Sequence, residues 1–152
     1  MEASPTQVWA VLVEATAWPH WYGNARAVTI TGHARLVLGA QFRWRTFRLP
    51  VRSTVTAFEP ERHLAWDGHS LGSSGYHRWI LQAQPDGGTR VITEEVQKGV
   101  AVSMVAPVMR RALLRAHHHW ITELGHQATA RTPTLRPPDM LPPDDSATGT
   151  VP

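Results

Sequence analysis

Cysteine is absent from this 152-residue chain. Disulfide staples, thiolate metal sites and cysteine nucleophiles are therefore excluded. Lysine is nearly absent: Lys98 stands alone among 15 basic residues, the rest being arginine. No run approaches the roughly 20 apolar residues of a membrane-spanning helix. The opening Met1-Glu2-Ala3 has neither the basic nor the apolar region of a signal peptide, so a cytoplasmic location is expected. No G-x-G-x-x-G or P-loop pattern occurs, and no nucleotide or other cofactor is indicated. There is no G-x-S-x-G elbow for a serine hydrolase and no H-E-x-x-H zinc motif.

What is present is aromatic, with seven tryptophans against three phenylalanines and two tyrosines. A hydrophobic content of 42% fits one globular domain with a sizeable core. The net charge is +3. The densest basic stretch, Arg43, Arg45, Arg48 and Arg52, reads as the solvated outer face of a sheet, and no nucleic-acid partner is expected. From Ala130 the composition shifts to Pro133, Pro137, Pro138, Pro142 and Pro143 with Asp144, Asp145, Ser146 and Gly149. We divide the chain into a packed domain over residues 1–127 and a proline-rich disordered tail over 128–152.

Ser4 is placed to cap a helix, Pro5 suits its first position, and Gln7 completes a capping box. Val8, Trp9 and Leu12 then form an apolar stripe over residues 4–13. A second short helix spans residues 17–22 and stops at Gly23-Asn24. Strands follow: one from Val28, one over 41–45 and one over 51–58. Others span 63–66, 76–84 and 89–97. Gln41-Phe42-Arg43-Trp44-Arg45 alternates as a half-buried strand does, Phe42 and Trp44 inward. Residues 68–75, rich in glycine and serine, read as a flexible loop or lid. Asp86-Gly87-Gly88 marks a hairpin turn. A long helix runs over 102–125, and Pro107 either kinks it or marks its true first turn.

The order of these elements, with Ser4-Pro5-x-x-Val8-Trp9, Trp18-Pro19-x-Trp21, Leu64-Ala65-Trp66, His77-Arg78-Trp79 and Thr93-Glu94-Glu95, resembles the SRPBCC superfamily. This superfamily comprises the polyketide cyclase/dehydrase, START and Bet v 1-like helix-grip proteins. The resemblance covers residues 4–125. It implies an α+β fold in which a curved antiparallel sheet grips a long C-terminal helix around a ligand cavity. One departure stands out. The family begins with a strand, and only Met1-Glu2-Ala3 precedes the Ser4 cap here. Either the start lies downstream of the true one or the sheet has six strands. Open edges are unfavourable, so edge-to-edge pairing into a homodimer stays open.

Strand alternation points Phe42, Trp44, Val55 and Trp66 inward, then His77, Trp79 and Leu81, and on the next strand Val91, Thr93 and Glu95. On the long helix Val102, Ala106, Met109, Leu113, His117, Trp120, Ile121 and Leu124 follow the i, i+3, i+4 pattern. The expected ligand walls are Phe42, Trp44, Val55, Trp66, Trp79, Leu81, Met109, Leu113 and His117. Glu95 and His77 are the candidate catalytic groups. A carboxyl in an apolar cavity has its pKa raised by desolvation and suits acid–base work; the plainer reading has Glu95 solvated or paired with an arginine. His77 either contacts the ligand or is a satisfied strand histidine. His117 could meet either of them across the cavity. His117-His118-His119 does not make a metal site, because successive helical residues diverge by ~100°, and no metal is expected.

The sequence thus points to binding of a hydrophobic or aromatic small molecule, polyketide- or lipid-like, in the cavity. The alternative is a polyketide cyclase or dehydratase using one acid/base residue there. Convergence of Glu95, His77 and His117 favours the enzyme.

Overall fold

The computed structural model describes residues 1–99 and 106–131, the side chains of 106–109 excepted. Helix α1 (Pro5–Leu12) starts with the capping box. The Ser4 Oγ accepts from the Gln7 N–H at 3.3 Å, and Gln7 Oε1 accepts from the Ser4 N–H at 2.9 Å. Val8, Trp9, Val11 and Leu12 are its buried face. A short 3₁₀ turn (Ala15–Ala17) leads into the single-turn helix α2 (Trp18–Trp21). The Trp18 indole N–H donates to the Leu12 carbonyl at 3.1 Å, satisfying an acceptor that the end of α1 leaves free.

Six strands follow: β1 (Arg26–Ile30), β2 (Gln41–Thr46), β3 (Leu49–Glu59), β4 (His63–Ser70), β5 (Ser73–Ala83) and β6 (Thr89–Lys98). They form one antiparallel sheet in sequence order. The long helix α3 (Ala106–Ala130) packs on its inner face, giving the expected helix-grip architecture. In β2 the alternation holds, with Phe42 and Trp44 buried and Gln41, Arg43 and Arg45 exposed. Pro107 falls in the first turn of α3. Val102 lies outside the described residues, as do the Ala106 and Met109 side chains. Residues 132–152 do as well. The helix packs beyond residue 127: Ala128 is fully buried, and the Arg131 carbonyl accepts from Gln7 Nε2 at 2.9 Å.

The glycine-rich segment is not a loop. β4 continues to Ser70, β5 begins at Ser73, and only Leu71-Gly72 turn the chain, both at positive φ (39° and 77°). Composition misleads here because Gly68 and Gly75 are register partners inside the ladder. A Cβ on Gly68 would lie 3.2 Å from Val51 Cγ1. The two glycines therefore keep the inner face of the sheet open rather than breaking it.

At the other edge, Met1 exchanges two backbone hydrogen bonds with Thr89, each 2.9 Å. The Thr89 Oγ1 donates to the Ala3 carbonyl at 2.7 Å. The residues before the cap are thus tied to the start of β6. Among the described residues no further strand pairs outside β1 or β6.

Trp18 is the centre of the core. Its ring lies 5.1 Å from Trp120, 5.7 Å from Trp66, 5.9 Å from Trp44 and 6.1 Å from Phe42. Three of these four contacts are edge-on, the arrangement ring quadrupoles favour. By filling this end of the grip, Trp18 confines open space to the other end.

Candidate functional site

The β5–β6 register places His77 opposite Glu95 and Trp79 opposite Thr93. Period-two alternation then sends His77, Thr93 and Glu95 to the inner face. His117 comes down from α3 onto the same spot. Its Nε2–H donates to Glu95 Oε2 at 2.8 Å, and its ring centroid is 5.1 Å from that of His77. The three side chains whose convergence the sequence left open do meet.

Around them lies a cavity of about 130 Å³. Trp44, Val51, Trp66, Leu113 and Trp120 form apolar walls, and His77, Glu95, Gln97 and His117 form a polar patch. Tyr22 and Asn24 add polar groups from the end of α2. Phe47 and Leu49 also line it, and Leu49 is 43% exposed, which marks the side open to solvent. Phe47 sits at φ 49° in the two-residue β2–β3 turn. Its N–H donates to Asn24 Oδ1 at 2.8 Å, which offsets part of the cost of that backbone conformation.

His77 is sandwiched by aromatics, stacked on Trp79 at 5.3 Å and 4.7 Å from Trp66. Burial pushes its pKa from 6.5 down to about 3, outweighing the pull of Glu95. Its Nδ1 stands 3.9 Å from Glu95 Oε2, and with the imidazole neutral that contact is no ion pair. Its Nε2 is 2.7 Å from Thr93 Oγ1.

Glu95 departs from expectation. Burial pushes its carboxyl up, but the hydrogen bonds from His117 and Gln97 push it further down, so it sits below the usual carboxylate range. The arginine pairing considered for this region belongs to its neighbour: Arg78 pairs with Glu94 at 2.6 Å on the outer face. Burial also raises the Tyr22 phenol, Asn24 opposing and Glu95 assisting. The Tyr22 hydroxyl thus stays a donor, directed at the Ala116 carbonyl at 3.4 Å. Among the described residues, nothing pairs with the buried indole N–H groups of Trp79 and Trp120. Trp120 lines the cavity.

Of the expected ligand walls, Trp44, Trp66, Leu113 and His117 line the cavity. Phe42, Val55, Trp79 and Leu81 do not; all four are buried in the core. The reason is Trp18 and Trp120, which pack against Phe42 and Trp79 respectively. The Met109 side chain lies outside the described residues. Sequence reading missed Gln97, although it continues the Val91, Thr93, Glu95 alternation. It also missed Tyr22 and Asn24, read only as a helix end.

His118 and His119 are exposed on other faces of α3, so the three successive histidines diverge as expected. A different trio converges. His77, Glu95 and His117 each offer one ligand atom, all within 4.8 Å of one another. Such a set can anchor a polar substituent, relay a proton or hold a cation.

Fold and cavity together define a helix-grip protein built to enclose a small ligand. The chain belongs to the polyketide cyclase/dehydrase and lipid transport family, whose pattern matches residues 1–119. Among solved structures it is similar to the hypothetical protein jhp0584 from Helicobacter pylori, at 26% identity and a TM-score of 0.74, covering 80% of this chain and 79% of that one. DynU16, a putative protein in the dynemicin biosynthetic locus, is similar at 18% identity and TM-score 0.61, over 88% of this chain but 46% of its own. Ara h 8.0201 shares the fold at 13% identity and TM-score 0.61, covering 84% and 92%. No curated protein matches the chain. Among the described residues no helix is long and apolar enough to cross a membrane.

Proposed function

We propose that the cavity binds a small aromatic or polyketide-like molecule, one ring against the wall formed by Trp44, Trp66 and Trp120 and one polar substituent on the Glu95–His117 pair. The observation that carries this is a hydrogen-bonded polar patch in a cavity that Trp44, Trp66 and Trp120 also line. The size narrows the ligand. A cavity near ~150 Å³ accommodates benzene, so the 130 Å³ here takes about one ring. The rest of a longer molecule would extend past Phe47 and Leu49. Family membership supports the same reading, and we place the site of action in the cytoplasm.

The test is a titration with 2-naphthol, read by intrinsic tryptophan fluorescence, alongside native mass spectrometry of protein purified from its own host. Saturable one-to-one quenching is expected, and Leu113→Trp, which fills the cavity, should abolish it. Quenching that is unsaturable, or unchanged in Leu113→Trp, would contradict the proposal.

Turnover of a poly-β-carbonyl chain is the second reading, favoured by the 2.8 Å His117–Glu95 bond. It puts a donor and an acceptor at one wall, where orientation by the aromatic rings would do the rest. Loss of cyclised product in Glu95→Gln, with 2-naphthol binding retained, would support it.

A further inference from the structure

We propose that His77 Nδ1, Glu95 Oε2 and His117 Nε2 form a three-ligand site for a divalent transition-metal ion of the zinc class, its remaining coordination positions facing the cavity. This deepens the ligand-binding reading by naming what would hold the ligand's oxygen. Two histidines and one carboxylate are the donor set of open catalytic zinc sites and of the facial triad that binds iron(II).

Geometry supports it first. Donors about 2.1 Å from a tetrahedral ion lie roughly 3.4 Å from one another. Here Glu95 Oε2 is 2.8 Å from His117 Nε2 and 3.9 Å from His77 Nδ1. One separation is shorter than the ideal and the other longer by about the same amount, within reach of small side-chain rotations.

The supporting shell is the second observation. Thr93 Oγ1 engages His77 Nε2 at 2.7 Å, and the Gln97 amide engages Glu95 Oε1. Both bonds hold the far atom of His77 and of Glu95 and leave the near atom turned to the cluster; His117, whose Nε2–H donates to Glu95 without metal, would bind as the Nδ1–H tautomer. Metal-bound histidines are oriented in this way. If His77 instead aimed an N–H at Glu95, a hydrogen bond would form, and 3.9 Å is too long for one.

Third, the partners of this carboxylate, the His117 N–H and the Gln97 amide, carry no fixed positive charge. The Glu95 side chain is only 18% exposed, and among the described residues no arginine or lysine lines its cavity. Buried carboxylates are normally paired with a cation or bound to a metal. A metal ion here would supply that positive charge and polarise a ligand carbonyl at the open positions.

The experiment is a Co²⁺ titration of chelator-stripped, full-length protein, read by visible absorption, with Zn²⁺ calorimetry in parallel. One Co²⁺ per chain with visible ligand-field bands is expected, displaced by Zn²⁺. Glu95→Gln and His117→Ala should each weaken Zn²⁺ binding by about 100-fold or more, and Thr93→Val by roughly 10-fold. Far-UV circular dichroism checks that each variant is folded; Thr93→Val keeps the test open should a ligand variant unfold. Glu123→Gln must leave binding unchanged, because Glu123 lies 3.9 Å from both His119 and His126, a separate group on α3 that could scavenge metal. Absence of the bands, or binding that survives His117→Ala and vanishes in Glu123→Gln, would overturn the proposal. No organic ligand enters this titration. Naphthol binding without Co²⁺ binding would therefore sink the metal site alone, and Co²⁺ binding without naphthol binding would sink the cavity reading alone.

Discussion

His77 and Glu95 are register partners across the β5–β6 ladder, yet they do not form an ion pair. His77 Nδ1 and Glu95 Oε2 are 3.9 Å apart. Aromatic burial keeps the imidazole neutral down to about pH 3, while His117 and Gln97 take up the carboxylate. One strand pair thus presents a neutral base and an anion side by side.

This arrangement makes stability depend on pH. The folded pKa of His77 lies below its unfolded value of 6.5, at about 3. The unfolded chain therefore binds more protons between those values, and stability rises with pH across that window. It is fully present above about 6.5. Glu95, also lowered, works in the same direction at the acid end: its contribution is lost as pH falls through its folded pKa. Urea midpoints measured from pH 7 to pH 4 should fall by an amount equivalent to several kcal/mol. The fall should be shallower in His77→Gln. An equal slope in both proteins would show that His77 is not the group responsible.

The tryptophan hub has a measurable weight. Trp18→Phe removes both the hydrogen bond to Leu12 and part of the packing against Trp44, Trp66 and Trp120. A loss of roughly 2 kcal/mol is expected in urea unfolding. A loss below about 0.5 kcal/mol would mean that the core rearranges freely around this residue.

The junction between Met1 and Thr89 is tested by Gly88→Ala. A Cβ there would lie 2.7 Å from the Met1 carbonyl oxygen, which must move and release the Thr89 N–H. Hydrogen exchange at the Thr89 amide should accelerate by about tenfold, corresponding to roughly 1.4 kcal/mol. Unchanged exchange would show that the terminal pairing is not what protects it.

Much of this molecule is legible in its sequence. The Ser4–Gln7 box, the Phe42/Trp44 alternation and the inward set His77, Thr93, Glu95 depend on local periodicity, and local periodicity survives folding. The failures are of another kind. Residues 68–75 have the composition of a loop, but the ladder gives Gly68 and Gly75 their role, and no local pattern encodes a register partner. Phe42, Val55, Trp79 and Leu81 point inward as read. Inward means core at one end of the grip and cavity at the other, and Trp18, arriving from a distant helix, sets that division. The direction of the Glu95 shift followed the same rule. Burial was inferable, whereas the donor His117 became visible only with α3 in place, and Gln97, two residues along β6, was passed over.

The central claim, a ligand cavity between the sheet and α3, is tested most directly by the indole ¹⁵N–¹H resonances during a 2-naphthol titration. Trp44, Trp66 and Trp120 line the cavity, whereas Trp9 and Trp21 do not. The first three signals should shift saturably and together, while Trp9 and Trp21 stay in place. Shifts confined to Trp9 or Trp21, or none at all, would contradict a binding site at this end of the grip.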